Sequence, residues 1–286
     1  MIQYIQIGME LVLVRKLLIL IFSFLLLLFI GGCSKSETGN EMNEYVIPAE
    51  IHSLNINWRF GTIHFIDSTE FKIQESSSKK IKDSEKLSYS MANGGVDINY
   101  THKSSRDLTI YLNKINLFQS ITIKGDFVDI TMENMNLGTV DIQSNLGTFL
   151  IEDCKIQSFK SKIECDNRYV RSKINNSEVE DCYISYHRIN EFYLTDSTFK
   201  RVKLDMDYSH TFIRRIAFSE INLYQTSGGA FIELNGNLGY TFDIQCRDLA
   251  LDMETVQYNT LYFYKTGEHK VNITGTASID IRRYFA

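Results

Sequence analysis

An all-β fold, in the form of a single-stack parallel β-solenoid, is the class this sequence predicts, and three observations predict it. Apolar and polar residues alternate with period two from Ile51 onward, which is the mark of half-buried strands. Aromatic and β-branched residues are abundant, Pro48 is the only proline, and few segments after it show helix-length periodicity. Between Ile115 and Leu234 a loose motif recurs about every 20 residues, roughly the length of one solenoid coil. The alternative is an antiparallel β-sandwich, which is also built from many short alternating strands.

The chain opens on a leader. Arg15-Lys16 precede an apolar run, Leu17–Ile30, broken only by Ser23, and Gly31-Gly32-Cys33 follow. A run of this size makes a helix of roughly 21 Å, short of the ~30 Å hydrocarbon core that a spanning helix must cross. A basic front, a short apolar centre and small residues behind are the parts of a secretory signal. Ile30-Gly31-Gly32-Cys33 also resembles a bacterial lipobox, in which the cysteine is acylated and the chain is cut before it. The sequence therefore predicts a signal peptide over 1–32, with Met9 as an alternative start. Residues 33–48 are expected to hold the lipidated cysteine and a flexible tether, polar from Ser34 to Asn43, and 49–286 the folded domain. Acyl chains on Cys33 would tie the body to a membrane face without crossing it, since each buried CH₂ contributes ~0.8 kcal/mol.

Strands follow in order. Leu54–Trp58 alternates, then Gly61–Ile66 and Phe71–Gln74, with a charged, serine-rich loop expected over Ser76–Lys86. Leu87–Ser90 and Val96–Tyr100 flank Asn93-Gly94, the strongest short-range hairpin signal, and Leu108–Leu112 continues the series. The repeat then begins at Asn134, Asp153, Asp181 and Asp196, each an Asn or Asp before strand-like pairs. Asn-Gly and Asp-Gly turns are missing inside this stretch, which favours the solenoid, whereas Asn93-Gly94 and Asn235-Gly236 on either side fit the sandwich.

With these elements placed, most of Leu54–Ile281 resembles the bacterial putative-adhesin domains of unknown function. The front of the resemblance rests on Leu54-Asn55-Ile56-Asn57-Trp58-x-x-Gly61-Thr62-Ile63, Ile73-Gln74-Glu75, Lys86-Leu87-Ser88-Tyr89 and Arg106–Leu112. The back rests on Gly239–Asp243, Gly267–Ile273 and Ala277–Ile281. The resemblance implies a parallel β-solenoid that serves as a non-catalytic envelope domain. Two features depart from the family: Asn113 follows Leu112 where members usually carry proline, and Asn145-Leu146-Gly147 replaces a Ser-Gly-Asp turn.

Composition bounds the function. The formal net charge is −5, and it stays negative without the leader, which argues against nucleic acid or a bare anionic membrane surface as partner. Of five cysteines, Cys33 is assigned to lipid. Cys154, Cys165, Cys182 and Cys246 read as small core fillers, although an oxidising compartment would leave three pairings open. The strongest catalytic candidates are Asp205 and Asp207, placed by alternation on one strand face, with His210 and Arg214-Arg215 downstream. The same spacing equally makes a solvated outer face. Glu152-Asp153 and Glu180-Asp181 lack the glycine-rich pattern of calcium-binding solenoids, and the six histidines share no ligand spacing, so neither metal nor cofactor is expected. The expected function is a lipid-anchored, adhesin-like binding or structural module of the cell envelope, outside the cytoplasm, without catalysis. It would meet the membrane through lipid on Cys33 and take a glycan or protein ligand. The alternative is a carbohydrate-active β-helix enzyme acting on acidic polysaccharide through Asp205 and Asp207.

Overall fold

A computed structural model describes residues 41–47, 50–112, 118–164, 171–252, 254–265 and 267–285, the side chains of 254–265 excepted. The chain divides into two units, 1–40 and 41–286, and all described residues belong to the second. That unit is all-β. Its one helical turn among the described residues is the 3-10 turn Asp83–Glu85.

The front strands are β1 (Glu41–Val46), β2 (Ser53–Trp58), β3 (Phe60–Asp67), β4 (Lys72–Ser77), β5 (Ser88–Ala92), β6 (Gly95–Tyr100), β7 (Arg106–Leu112) and β8 (Phe118–Glu133). The middle holds β9 (Asn136–Leu146), β10 (Phe149–Glu152), β11 (Lys155–Glu164), β12 (Arg171–Asn175), β13 (Glu178–His187) and β14 (Glu191–Thr195). It continues through β15 (Thr198–Asp207), β16 (Ser209–Arg214), β17 (Glu220–Gln225) and β18 (Gly228–Asn235). The last strands are β19 (Tyr240–Leu251), β20 (Glu254–Lys265), β21 (His269–Gly275) and β22 (Ser278–Tyr284).

Two parallel ladders run through these strands. One pairs β6–β2–β8–β9–β11–β13–β15–β17–β21–β19. The other pairs β7–β3–β8–β10–β12–β14–β16–β18–β22–β19. Strands β8 and β19 are long enough to serve both ladders, the first half in one and the second half in the other. The chain does not lay its segments down in sequence at the ends. The β2–β3 segment lies between β6–β7 and β8, and β21–β22 lies between β17–β18 and β19. Antiparallel strands then cover the outer segments: β5 on β6, β4 on β7, β1 on β4, and β20 on β19. Covering an outer strand occupies the unpaired N–H and C=O groups that would otherwise recruit another chain. Glu41–Val46, placed within the tether by sequence, thus form an ordered strand, and the folded unit begins at Glu41.

The expected hairpin at Asn93-Gly94 is present. Ala92 pairs with Gly95, and both turn residues have positive φ, 52° and 71°. A Cβ on Gly94 would also fall on the His52 ring, so the position needs glycine twice over. Asn235-Gly236 is not a hairpin: β18 pairs with β16 and β22, and the Asn235 side chain instead accepts from the Asn237 amide at 3.0 Å.

The repeat has a physical origin that corrects its register. Asn134, Asp153, Asn176, Asp196 and Arg215 all sit in the left-handed region, with φ of 56°, 54°, 47°, 51° and 51°. Each backbone N–H from Asn134 to Asp196 bonds the carbonyl just before the next of these corners, as in Asn134 to Glu152 at 3.0 Å and Asp196 to Arg214 at 3.1 Å. Asn and Asp recur because they tolerate this conformation better than other side-chain-bearing residues. Asp181, read as the start of a repeat, belongs to a different place. It lies within β13 where alternation breaks, so that outward Glu180 and Asp181 separate buried Val179 from Cys182. Gln157-Ser158 and Lys200-Arg201 stand at the matching positions of β11 and β15. The true corner is Asn176.

Behind the corners at Asp153, Asn176 and Asp196 the small residues Cys154, Ser177 and Ser197 form a ladder of hydrogen bonds. Ser177 Oγ donates to Asn175 O at 2.8 Å and accepts from Cys154 N at 3.1 Å, and Ser197 Oγ repeats both contacts with Thr195 O and Ser177 N. Inward side chains stack in columns across the ladders, as in Ile98, Ile56, Ile123 and Ile142, then, beyond buried Ser161 of β11, Ile184, Leu204, Leu223, Ile273 and Ile244, all buried. Each such side chain contributes about 1.5–3 kcal/mol on burial. Phe149, Phe159, Tyr186 and Phe192 fill the middle of the core with ring centroids 5.1–6.2 Å apart, and Tyr186 Oη lies 2.5 Å from Ser172 Oγ.

Candidate functional site

Parallel pairing in register carries each outward position of one strand onto the same position of the next. On the first ladder this yields a row of Asn55, Thr122, Asp141, Lys160, Tyr183, Lys203, Asn222 and Asn272. Beside it runs Asn57, Lys124, Gln143, Lys162, Ser185, Asp205, Tyr224 and Thr274. Neighbours in a row are about 4.8 Å apart, the strand spacing. The rows therefore form a continuous polar surface along successive segments.

Two adjoining grooves mark this surface between β11 and β21. One, of about 360 Å³, is lined by Lys160, Asp181, Tyr183, Arg201, Lys203 and Asn222 among others. The other, of about 420 Å³, takes Tyr183, Lys203 and Asn222 again and adds Asp205, Tyr224, Asn272 and Thr274. Lys203 Nζ stands 5.3 Å from the Tyr183 ring centroid, and Tyr224 is 48% exposed. Asn272 Nδ2 donates to Asn222 Oδ1 at 2.9 Å, which fixes both amides on the groove floor. Arg201 grips Asp181 with two bonds of 2.6 Å, and this bidentate guanidinium holds the Asp181 carboxyl below the usual carboxylate range.

The predicted pair Asp205 and Asp207 do share one outward face of β15. Their surroundings differ. Asp207 is tied on both sides, with His187 Nδ1 at 2.6 Å from one carboxylate oxygen and Thr226 Oγ1 donating to the other. His210 lies on β16, beyond the turn at Tyr208. Arg214 packs against the Phe212 and Phe231 rings, and Arg215 pairs with Asp196 at 2.8 Å. The five residues thus do not converge on one point.

Glu152 and Asp153 accept from Asn175 and Asn176 of the next segment, and Asp181 is occupied by Arg201. Glu152, Asp153 and Asp181 thus serve contacts between segments. Among the described residues no group of three or more His, Cys, Asp and Glu is placed to hold a metal ion.

Cys154, Cys182 and Cys246 are buried and unpaired. Burial pushes the thiols of Cys154 and Cys246 up to about 11, and that of Cys182 higher. Cys154 and Cys182 occupy inward positions, as the core-filler reading expects. Cys165, the lipidation candidate Cys33 and the whole leader lie outside the described residues.

A second polar centre, not anticipated from sequence, is buried at the front. Arg106 and Glu75 form an ion pair with side chains 2% and 0% exposed. Glu75 also accepts from Leu87 N at 3.3 Å, Arg106 reaches Glu85 at 3.4 Å, and its guanidinium lies 5.0 Å from the Tyr100 ring centroid. The Arg106 carbonyl accepts from Trp58 Nε1 at 3.3 Å. These contacts join β2, β4, β6, β7 and the 3-10 turn, so the expected exposed loop over Ser76–Lys86 is pinned at Glu85 and by buried Ile81.

The signal that would have exposed the grooves is the corner register. Asp141, Lys160, Tyr183, Lys203 and Asn222 each lie seven residues after a left-handed corner. Starting one repeat at Asp181 rather than Asn176 broke that alignment.

No family model matches this chain, and no curated protein matches it. Among solved structures, one described as a "putative adhesin" from Parabacteroides merdae aligns at a TM-score of 0.47 and 8% identity, covering 87% of this chain and 97% of that one. A "putative adhesin" from Bacteroides fragilis gives 0.42 and 12%, covering 87% and 98%. A "Putative lipid binding protein" from Parabacteroides distasonis gives 0.38 and 10%, covering 86% and 97%.

Proposed function

We propose that this chain is a non-catalytic binding module of the bacterial cell envelope: a parallel β-solenoid carried on a lipidated Cys33. The observation that carries this reading is the register of the outward rows. Successive parallel segments repeat one polar position after another, which makes a long surface suited to an extended ligand. The enzymatic alternative asks for two free carboxylates, and Asp207 is held by His187 and Thr226. The solenoid reading rests on the two parallel ladders and on corners that recur about every 20 residues. A sandwich would instead bring antiparallel strands to the middle of the sheet.

The anchor reading comes from the leader, with its basic pair, short apolar run and Cys33. Of the tether expected over 33–48, residues 33–40 lie outside the described residues and Glu41–Val46 form β1. Fractionation of cells making wild type and Cys33→Ser tests it. Wild type should sediment with membranes and carry acyl chains on an N-terminal cysteine, and the variant should be soluble. A variant that still sediments, or a wild type with an uncut leader, removes the anchor. Attachment of cells that display the protein to a glycan- or protein-coated surface tests the binding role, and attachment no better than that of cells lacking the protein would sink it.

A further inference from the structure

We infer that the paired grooves on β11, β13, β15, β17 and β21 bind an anionic polysaccharide laid across the strands. The inference rests on the binding-module reading above and names the ligand class of that surface. Three features of this surface point to this occupant.

Charge is the first. Lys160 and Lys203 flank Tyr183 in one row, one strand spacing to either side, and neither lysine makes an ion pair with a described residue. The neighbouring cations are committed elsewhere, Arg201 to Asp181 and Lys162 to Glu164 at 3.2 Å. Two ammonium groups without an ion-pair partner among the described residues, one of them resting over the Tyr183 ring, leave room for an anion on a chain of net charge −5. Within the two grooves Lys160, Arg201 and Lys203 face Asp181 and Asp205, an excess of one positive charge, and Asp141 borders the surface beside Lys160 with its carboxylate oxygens 3.4 Å from Gln143 Nε2.

Surface chemistry is the second. Tyr183 and the exposed Tyr224 present amphipathic rings, and the Asn222–Asn272 amide pair offers fixed donors and acceptors. Aromatic faces for the C–H side of a sugar, amides for its hydroxyls and ammonium groups for its carboxylates together describe a uronate-type chain. Repeat is the third. Outward polar positions recur every ~4.8 Å along the row, with differing side chains, a spacing comparable to the advance of one pyranose unit in an extended polymer. Successive sugars would therefore meet successive strands.

The test is affinity electrophoresis of the full chain in detergent, through gels holding polygalacturonate or neutral dextran, at low and high salt. Polygalacturonate should retard the wild type at low salt much more than at high salt, and dextran should not. Lys160→Ala/Lys203→Ala should weaken retardation about tenfold, and Tyr183→Ala should weaken it on its own. Lys173→Ala, on β12 of the other ladder, should behave as wild type. Circular dichroism and thermal melts confirm that each variant is folded. Equal retardation by dextran, retardation indifferent to both lysines, or none by a folded wild type overturns the proposal. If polygalacturonate binding fails while cells still attach through the protein, this ligand class falls and the binding module stands. If cells do not attach although polygalacturonate binds, the role in cell attachment falls and the ligand assignment of the grooves stands.

Discussion

Glu75 and Arg106 are nearly invisible as a pair in the sequence, 31 residues apart and each inside an ordinary alternating strand. Burial changes their weight. With side chains at 0% and 2% exposure, each compensates a charge that would otherwise stand unpaired in the core. Removing one partner from such a pair costs about 3–5 kcal/mol, whereas replacing both with apolar groups is often neutral. Arg106→Met should therefore lower the urea midpoint sharply, and Glu75→Leu/Arg106→Met should recover most of the loss. A single variant as stable as wild type would show that the pair adds nothing. The exposed Asp181–Arg201 pair, by contrast, is solvent-screened, and its contribution to stability is small.

The turn chemistry of single elements carries the next tier. The β5–β6 hairpin covers the outer edge of β6, and its turn depends on Gly94 at φ 71° against the His52 ring. Gly94→Ala places a Cβ in both the disfavoured conformation and occupied space, at a cost of about 1–2 kcal/mol from the backbone alone. The expected result is faster hydrogen exchange at β5 and β6 with the middle strands unchanged. Uniform loss of protection across the chain would instead make the hairpin part of the central cooperative unit. The corners at Asn134, Asp153, Asn176 and Asp196 work the same way, which is why Asn and Asp mark the repeat.

At the scale of the molecule, the solenoid proposed above would make stability a sum of segments and their interfaces, so that ends open before the middle. The buried thiols report on this. Cys154 and Cys182 sit on neighbouring central segments, with β11 paired to β13, whereas Cys246 sits on β19 near the chain's end. Alkylation of the native protein should leave all three unlabelled. With rising urea, Cys246 should become reactive first, and Cys154 and Cys182 later at a shared midpoint. A single midpoint for all three would mean that the inserted segments at each end bind the whole stack into one two-state unit.

How much of this was legible beforehand follows from the range of each interaction. Period-two alternation is a property of neighbouring residues, so the all-β class and the strands from Leu54 to Leu112 could be read directly. The Asn93-Gly94 turn and the Asn and Asp corners were legible for the same reason, because backbone conformation there depends on one or two side chains. The break in alternation at Glu180-Asp181 misled the repeat register, since a bend leaves two outward residues in succession and resembles a turn. The order of strands at the two ends was settled only in three dimensions. Backbone hydrogen bonds carry no side-chain label, so no local pattern states that β2 lies between β6 and β8, or β21 between β17 and β19. The same holds for the surface. Lys160, Tyr183 and Lys203 are about 20 residues apart in the chain, and only parallel pairing in register places them side by side.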